Sequence, residues 1–159
     1  MTEPRSSKVR DAQLHEKWTP AKAWSGDFPG MCRWRLPVLG PPDVGGYDRV
    51  LKVVWIYADE NRGEMPSDTL SEQMETFEDR LCEAWENDGH AYLSAVLTFD
   101  GARQWVFYTG DVQECGRRLH EMPQEEERYP IELTTEADPE WTWLRQHILK
   151  RFLKDPSAH

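Results

Sequence analysis

From about residue 31 to residue 148 the apolar positions switch repeatedly between a period near two and a period near 3.6. Residues 49–57 (RVLKVVWIY), 91–99 (AYLSAVLTF) and 103–109 (RQWVFYT) are dense in β-branched and aromatic side chains, which suit a pleated, buried surface. They predict three strands, the first at the centre of a sheet. Asp100-Gly101 between the last two predicts a hairpin, because Gly tolerates the positive φ of a tight turn. Over residues 31–39, Cys32, Trp34 and Leu36 alternate with Arg33 and Arg35 and predict a further strand. Residues 129–134 (YPIELT) predict a short one, placed at an edge by Pro130.

The helical segments are equally regular. Leu70, Met74, Phe77, Leu81 and Trp85 form one stripe, opposite a face of Glu, Asp and Gln, and predict a helix over residues 67–87. Ser67 or Asp68 can cap it, or Thr69 with Glu72 as a capping box; Gly89 ends it. Asp111 caps a second helix with Glu114 three residues on, and its stripe is Val112, Cys115, Leu119 and Met122. Asp138 with Pro139 predicts the start of a third, lined by Trp141, Leu144, Ile148 and Phe152.

Read in order from residue 49, these elements give βαββαβ and a terminal helix. The expected fold class is α+β: a ferredoxin-like antiparallel sheet with helices on one face, an extra N-terminal strand and a C-terminal helix. Residues 1–28 are polar and are expected to be a loosely ordered arm, residues 29–154 a single domain, and 155–159 a tail. With helices on one face only, one of the pairs Trp105/Phe107 and Val106/Tyr108 belongs to the core and the other is partly exposed.

Charge changes the picture. Residues 59–140 hold six Lys/Arg against twenty-two Asp/Glu, whereas the segments on either side are each net +3. An acidic middle disfavours a phosphate backbone and favours encounter with a basic partner. Cys32, Cys82 and Cys115 are odd in number, widely spaced and without a C-x-x-C pair, as in reduced cytoplasmic proteins. No apolar leader precedes Trp18 and no run approaches the length of a membrane span, so a cytoplasmic protein without membrane attachment is expected.

Candidate chemistry is sparse. The five histidines have no metal-ligand spacing, and Ser67 lacks the flanking glycines of a nucleophile elbow. Asp138-Pro139-Glu140-Trp141 reads as a carboxylate pair beside an aromatic platform, but helix capping explains it without function. The aromatic strand at Trp105–Tyr108 has the flavour of an RNA-stacking strand, yet the required glycines are missing and the local charge has the wrong sign. No catalytic, cofactor-binding or metal-binding residue is therefore assigned, no cofactor is expected, and nucleic acid is not the expected partner. The expected interaction surface combines Glu75, Glu78 and Asp79 on the acidic helix face with Tyr108 and Trp55 as exposed aromatic anchors.

Trp55-Ile56-Tyr57, Met65-Pro66-Ser67, Phe77-Glu78-Asp79-Arg80-Leu81 and Asp100-Gly101 with Trp105-Val106-Phe107-Tyr108 occur in this order, followed by Tyr129-Pro130-Ile131-Glu132 and Asp138-Pro139-Glu140-Trp141. In these anchors the chain resembles a bacterial family, domain of unknown function 695, over roughly residues 31–143. The resemblance implies a fold and carries no activity. At the level of fold and charge alone the chain is also similar to the B-type regulators of ribonuclease E activity. The functional expectation is a non-enzymatic protein-interaction or regulatory module whose acidic surface meets a basic protein segment. Alternatives are a small-ligand binder or enzyme using a cleft beside the open sheet face, and an immunity-type protein neutralising a basic toxin.

Overall fold

In the computed structural model, residues 7–14, 17–25, 28–36, 38–40, 43–57, 65–99, 101–122 and 129–148 are described. The elements are α1 (Ser7–Leu14), β1 (Lys17–Ser25), β2 (Phe28–Leu36), β3 (Arg49–Ile56), α2 (Asp68–Trp85), β4 (Ala91–Phe99), β5 (Ala102–Thr109), α3 (Val112–Glu121), β6 (Ile131–Ala137) and α4 (Thr142–Leu144). The fold is α+β, with one antiparallel six-stranded sheet in the order β1-β2-β4-β5-β3-β6.

Strand order departs from the four-strand unit with one addition that the sequence pattern predicts, because two strands are added at the N-terminal side. β1 pairs with β2 over nine residue pairs, from Lys17↔Leu36 to Ser25↔Phe28. α1 buries Val9 and Ala12, and its Gln13 side chain donates to the Ala91 carbonyl at 2.7 Å. Within the segment expected as a loose arm, residues 7–14 are thus helix and residues 17–25 a strand paired into the sheet. Its polar composition hid this, since an outer strand needs backbone pairing more than apolar side chains.

The sheet is covered on both faces, not one. Against one face α2 packs Met74, Phe77, Leu81 and Trp85, and α3 packs Cys115, over Leu51, Val53, Trp105 and Phe107. Against the other lie α1, Leu39, Val44 and Tyr47, and Trp141, Leu144 and Ile148, over Val50, Tyr92, Val106 and Tyr108. Both members of the aromatic strand's two pairs, Trp105/Phe107 and Val106/Tyr108, are consequently fully buried. Ser94 makes this possible in β4. The register slips between Leu93 and Ala95, so Leu93 faces one cluster while Ala95 and Leu97 face the other, and the Ser94 hydroxyl donates to the Val106 carbonyl.

Local signals behave as their chemistry demands. The Ser67 hydroxyl accepts from Leu70 N–H and caps α2, and the Asp111 carboxylate accepts from Glu114 N–H and caps α3. Gly101 turns the β4–β5 hairpin at φ +79°. At the third predicted helix the outcome differs. Asp138 accepts from the amides of Thr142 and Trp143, four and five residues on, across a turn at Pro139-Glu140. Trp141, expected inside the helix, takes a left-handed conformation (φ 56°, ψ 41°) before it. Phe152, the acidic loops at Asp59-Glu60 and Glu125-Glu126-Glu127, and the tail lie outside the described residues. Among the described residues no helix is long and apolar enough to cross a membrane.

Candidate functional site

The outer face of α2 carries Glu72, Glu75, Asp79 and Glu83, all exposed. Amphipathic spacing dictates this: with Met74, Phe77, Leu81 and Trp85 turned to the core, these positions must face outward. Glu78 differs. Its side chain is 19% exposed; Arg33 of β2 forms an ion pair with it, and the Trp105 indole N–H donates to it at 2.8 Å. Of the three acidic residues expected at the surface, Glu75 and Asp79 are there, and Glu78 is a structural acceptor at the rim of the core.

The arginines of β2 explain that placement. The pattern expected Arg33 and Arg35 on a polar strand face, and they do share a face, but it is the one α2 covers. Arg35 is buried and makes a two-pronged ion pair with Glu86, at 2.7 and 2.9 Å. Glu86 also accepts from Leu93 N–H, and the Arg35 guanidinium lies over the rings of Trp18 and Tyr92. This network staples β1, β2, α2 and β4 together.

The expected aromatic anchors are not at the surface. Trp55 is 5% exposed and packs against Phe77 at 5.6 Å between ring centres. Tyr108 is fully buried on the opposite face of the sheet, stacked on Trp141 at 4.1 Å. Its hydroxyl donates to Asp138 at 2.8 Å, and burial followed by this carboxylate pushes its pKa well above the ordinary phenol value. The sheet separates the two rings, so they do not join Glu75 and Asp79 in one site.

A concave site forms elsewhere, at the β6 edge. Its volume is about 410 Å³ and it is walled by Val50, Glu136, Asp138, Glu140, Trp143 and His147 among others. The turn at Pro139-Glu140 brings the end of β6 against the first helical turn after it. Trp143 and His147, one helical turn apart, stack at 4.6 Å, and His147 Nδ1 donates to the Trp143 carbonyl at 2.9 Å. Lys52 of β3 reaches this wall, its ammonium 4.9 Å from the centre of the Trp143 ring. Partial burial lowers the Lys52 pKa, while Glu136 and Asp138 oppose that shift by favouring the charged form. Asp138 is spent on Tyr108 and two amides, which leaves the more exposed Glu136 and Glu140 as carboxylates available to an incoming cation.

At residues 138–141 the capping role expected of Asp138 is what the structure shows, and these residues form no carboxylate-and-aromatic platform. Trp141 is buried and Asp138 caps; Trp143, Glu136 and Glu140 wall the cleft, with Lys52 against the Trp143 ring. The lone lysine in the apolar run RVLKVVWIY was the available signal, since a lysine side chain is almost never fully buried unless paired. No group of three or more His, Cys, Asp or Glu positioned to hold a metal ion occurs among the described residues.

Comparison with known proteins bears on family alone. No curated protein and no solved structure matches the chain. The model of a family of unknown function, domain of unknown function 695, matches residues 16–149, taking in β1 through α4 and the cleft at the β6 edge. The chain belongs to the domain of unknown function 695 family.

Proposed function

We propose that this domain is a non-enzymatic protein-interaction module that recognises a basic protein segment through its acidic surface. The observation that carries the proposal is the outer face of α2. Glu72, Glu75, Asp79 and Glu83 are exposed there, and the helix's one Lys/Arg, Arg80, is turned to the Tyr129 hydroxyl. A field of one sign speeds encounter and selects partner charge more than it adds affinity. A basic toxin neutralised by this protein is one form such a partner takes. We further propose that β3–α2–β4–β5–α3–β6 is a ferredoxin-like unit enlarged by β1 and β2; the neighbour order β4-β5-β3-β6 supports it.

Affinity capture from a lysate of the source organism, at low and at high salt, tests the functional reading. The expected result is a partner with a basic segment, released by salt and captured more slowly by Glu75→Lys/Asp79→Lys. An acidic partner, or capture insensitive to both salt and the reversal, overturns it. Glu78 is left unchanged in that variant, because its reversal breaks the contacts with Arg33 and Trp105.

The second reading, a small-ligand binder, is favoured by the cleft at Trp143. It no longer has an open sheet face to use, because α1 and residues 141–148 cover that face. Quenching of Trp143 emission by a small organic cation at low concentration, absent in Glu136→Gln/Glu140→Gln, distinguishes it from the first.

A further inference from the structure

We infer that β6 is a docking edge, where an extended basic segment of a partner protein adds as a further strand and places one basic side chain in the cleft beside Glu136 and Trp143. The inference rests on the proposed recognition of basic partners and names the surface and the shape of the partner.

Among the described residues β6 ends the sheet, and six of its seven residues are exposed. Asp138 N–H donates to the Asp48 carbonyl at 2.8 Å, which makes that pair hydrogen-bonded. Along an antiparallel ladder bonded and non-bonded pairs alternate, so the backbone groups of Leu133, Thr135 and Ala137 point away from β3, toward the open edge. Such a row is a template for strand addition unless it is blunted by Lys, Pro, a bulge or a cover. Residues 131–137 contain no Lys and no Pro, and each is paired in register with β3.

The side chains state what the added strand must be. Leu133, 42% exposed, lies opposite Val53 on the α2 side of the sheet. Glu132 and Glu136 lie on the other side, opposite Val54 and Val50, where the cleft opens. An incoming strand therefore meets an apolar row on one face and carboxylates on the other, and alternation of apolar and basic residues fits both. Residues 129–144 hold four carboxylates and no Lys or Arg, so beside the one ammonium of Lys52 the charge at this edge is predominantly negative. A second copy is disfavoured in the register that overlaps β6 fully. Antiparallel pairing of β6 with itself about Thr134 sets Glu132 against Glu136, and like charges directly opposite destabilise a ladder. Beside the cleft, the Trp143 ring already meets one ammonium, that of Lys52, which also feels the charges of Glu136 and Asp138.

The test titrates the full chain with a synthetic peptide alternating Lys and Val, and with its Glu/Val counterpart, following backbone amide and indole resonances. The expected result is that the Lys/Val peptide alone binds, shifting residues 131–137 and the Trp143 indole. Glu132→Gln/Glu136→Gln should then weaken it by about tenfold or more, as loss of two charge contacts requires. Leu133→Pro, which removes an outward amide, should abolish it, and the variant's dispersed spectrum checks that it folds; Glu75→Lys/Asp79→Lys should leave the bound-state shifts at β6 unchanged. If the Lys/Val peptide instead shifts α2 and is lost with Glu75→Lys/Asp79→Lys, the docking edge is wrong while recognition of basic partners stands. If the Glu/Val peptide binds equally well, or neither binds, both fall.

Discussion

The Tyr108 hydroxyl donates to Asp138 and accepts from Leu144 N–H, tying the central sheet to the segment that covers its second face. Tyr108→Phe leaves the buried Asp138 carboxylate short of one donor and should cost about 1–3 kcal/mol in chemical denaturation. Trp141→Ala should cost more, about 3–5 kcal/mol, because it empties a fully buried ring site. The order of the two losses is the check; equal losses would mean that the stacked ring adds nothing beyond the hydroxyl contact. Trp141 also shows what residue-level reading of the chain could and could not reach. Its burial follows from the apolar stripe with Leu144 and Ile148. Its left-handed backbone does not, since that is imposed from outside by the stack on Tyr108 and the indole hydrogen bond to the Tyr47 carbonyl at 2.7 Å. Arg35 carries the same lesson: strand alternation assigns its face, but not the carboxylate of Glu86 waiting there. Breaking that buried pair with Arg35→Met should destabilise by about 3–5 kcal/mol, since Glu86 is then left charged and under-paired. A melting curve close to wild type would show that water reaches Glu86.

Among elements, β3, α2, β4, β5 and α3 were legible because each carries its own periodicity, and the two helices their own caps. α1 and β1 were not. Val9 and Ala12 are too few to signal a helix face, and β1 owes its place to pairing with β2. Deleting residues 2–16 should therefore lower the melting temperature by several degrees or more, whereas a loose arm would leave it unchanged. Lost with that segment are two buried side chains and the Arg10 and Gln13 hydrogen bonds to the carbonyls of Glu86 and Ala91. On α3, hydrogen bonds from Arg117 and then Arg118 hold the Glu114 carboxyl down at about 2. The Arg118 hydrogen bond lowers Asp88 as well. A depressed carboxylate stabilises the fold above its unfolded value and loses that contribution as pH falls through the folded one. The melting-temperature gap between wild type and Glu114→Gln should therefore be present at neutral pH and close as pH drops from about 4.5 toward about 2. The gap should be small, because the pair is solvent-exposed and screened. A gap that widened on acidification would contradict the assignment.

For the whole molecule, a sheet covered on both faces leaves recognition to its outer helix face, its edge and its loops. The acidic excess of residues 59–140 was plain from composition, but which acids are available was not. Glu78 is withdrawn by Arg33 and Trp105, and Asp138 by Tyr108 and the amides of residues 142 and 143. The cleft was illegible for a related reason: Lys52, Glu136 and Trp143 come from three separate segments, and only the pairing of β3 with β6 and the turn after β6 bring them together. Recognition by charge makes a kinetic demand. The field of the acidic surface should speed association and weaken as the Debye length falls from about 10 Å at 0.1 M salt to about 3 Å at 1 M. The most direct measurement is the association rate constant of the Lys/Val peptide against ionic strength, for wild type and for Glu75→Lys/Asp79→Lys. The wild-type rate should fall steeply with salt, and the reversed variant should start lower and vary less, the two converging at high salt. Rates independent of salt, or identical for both proteins throughout, would contradict an acidic surface that recognises basic partners.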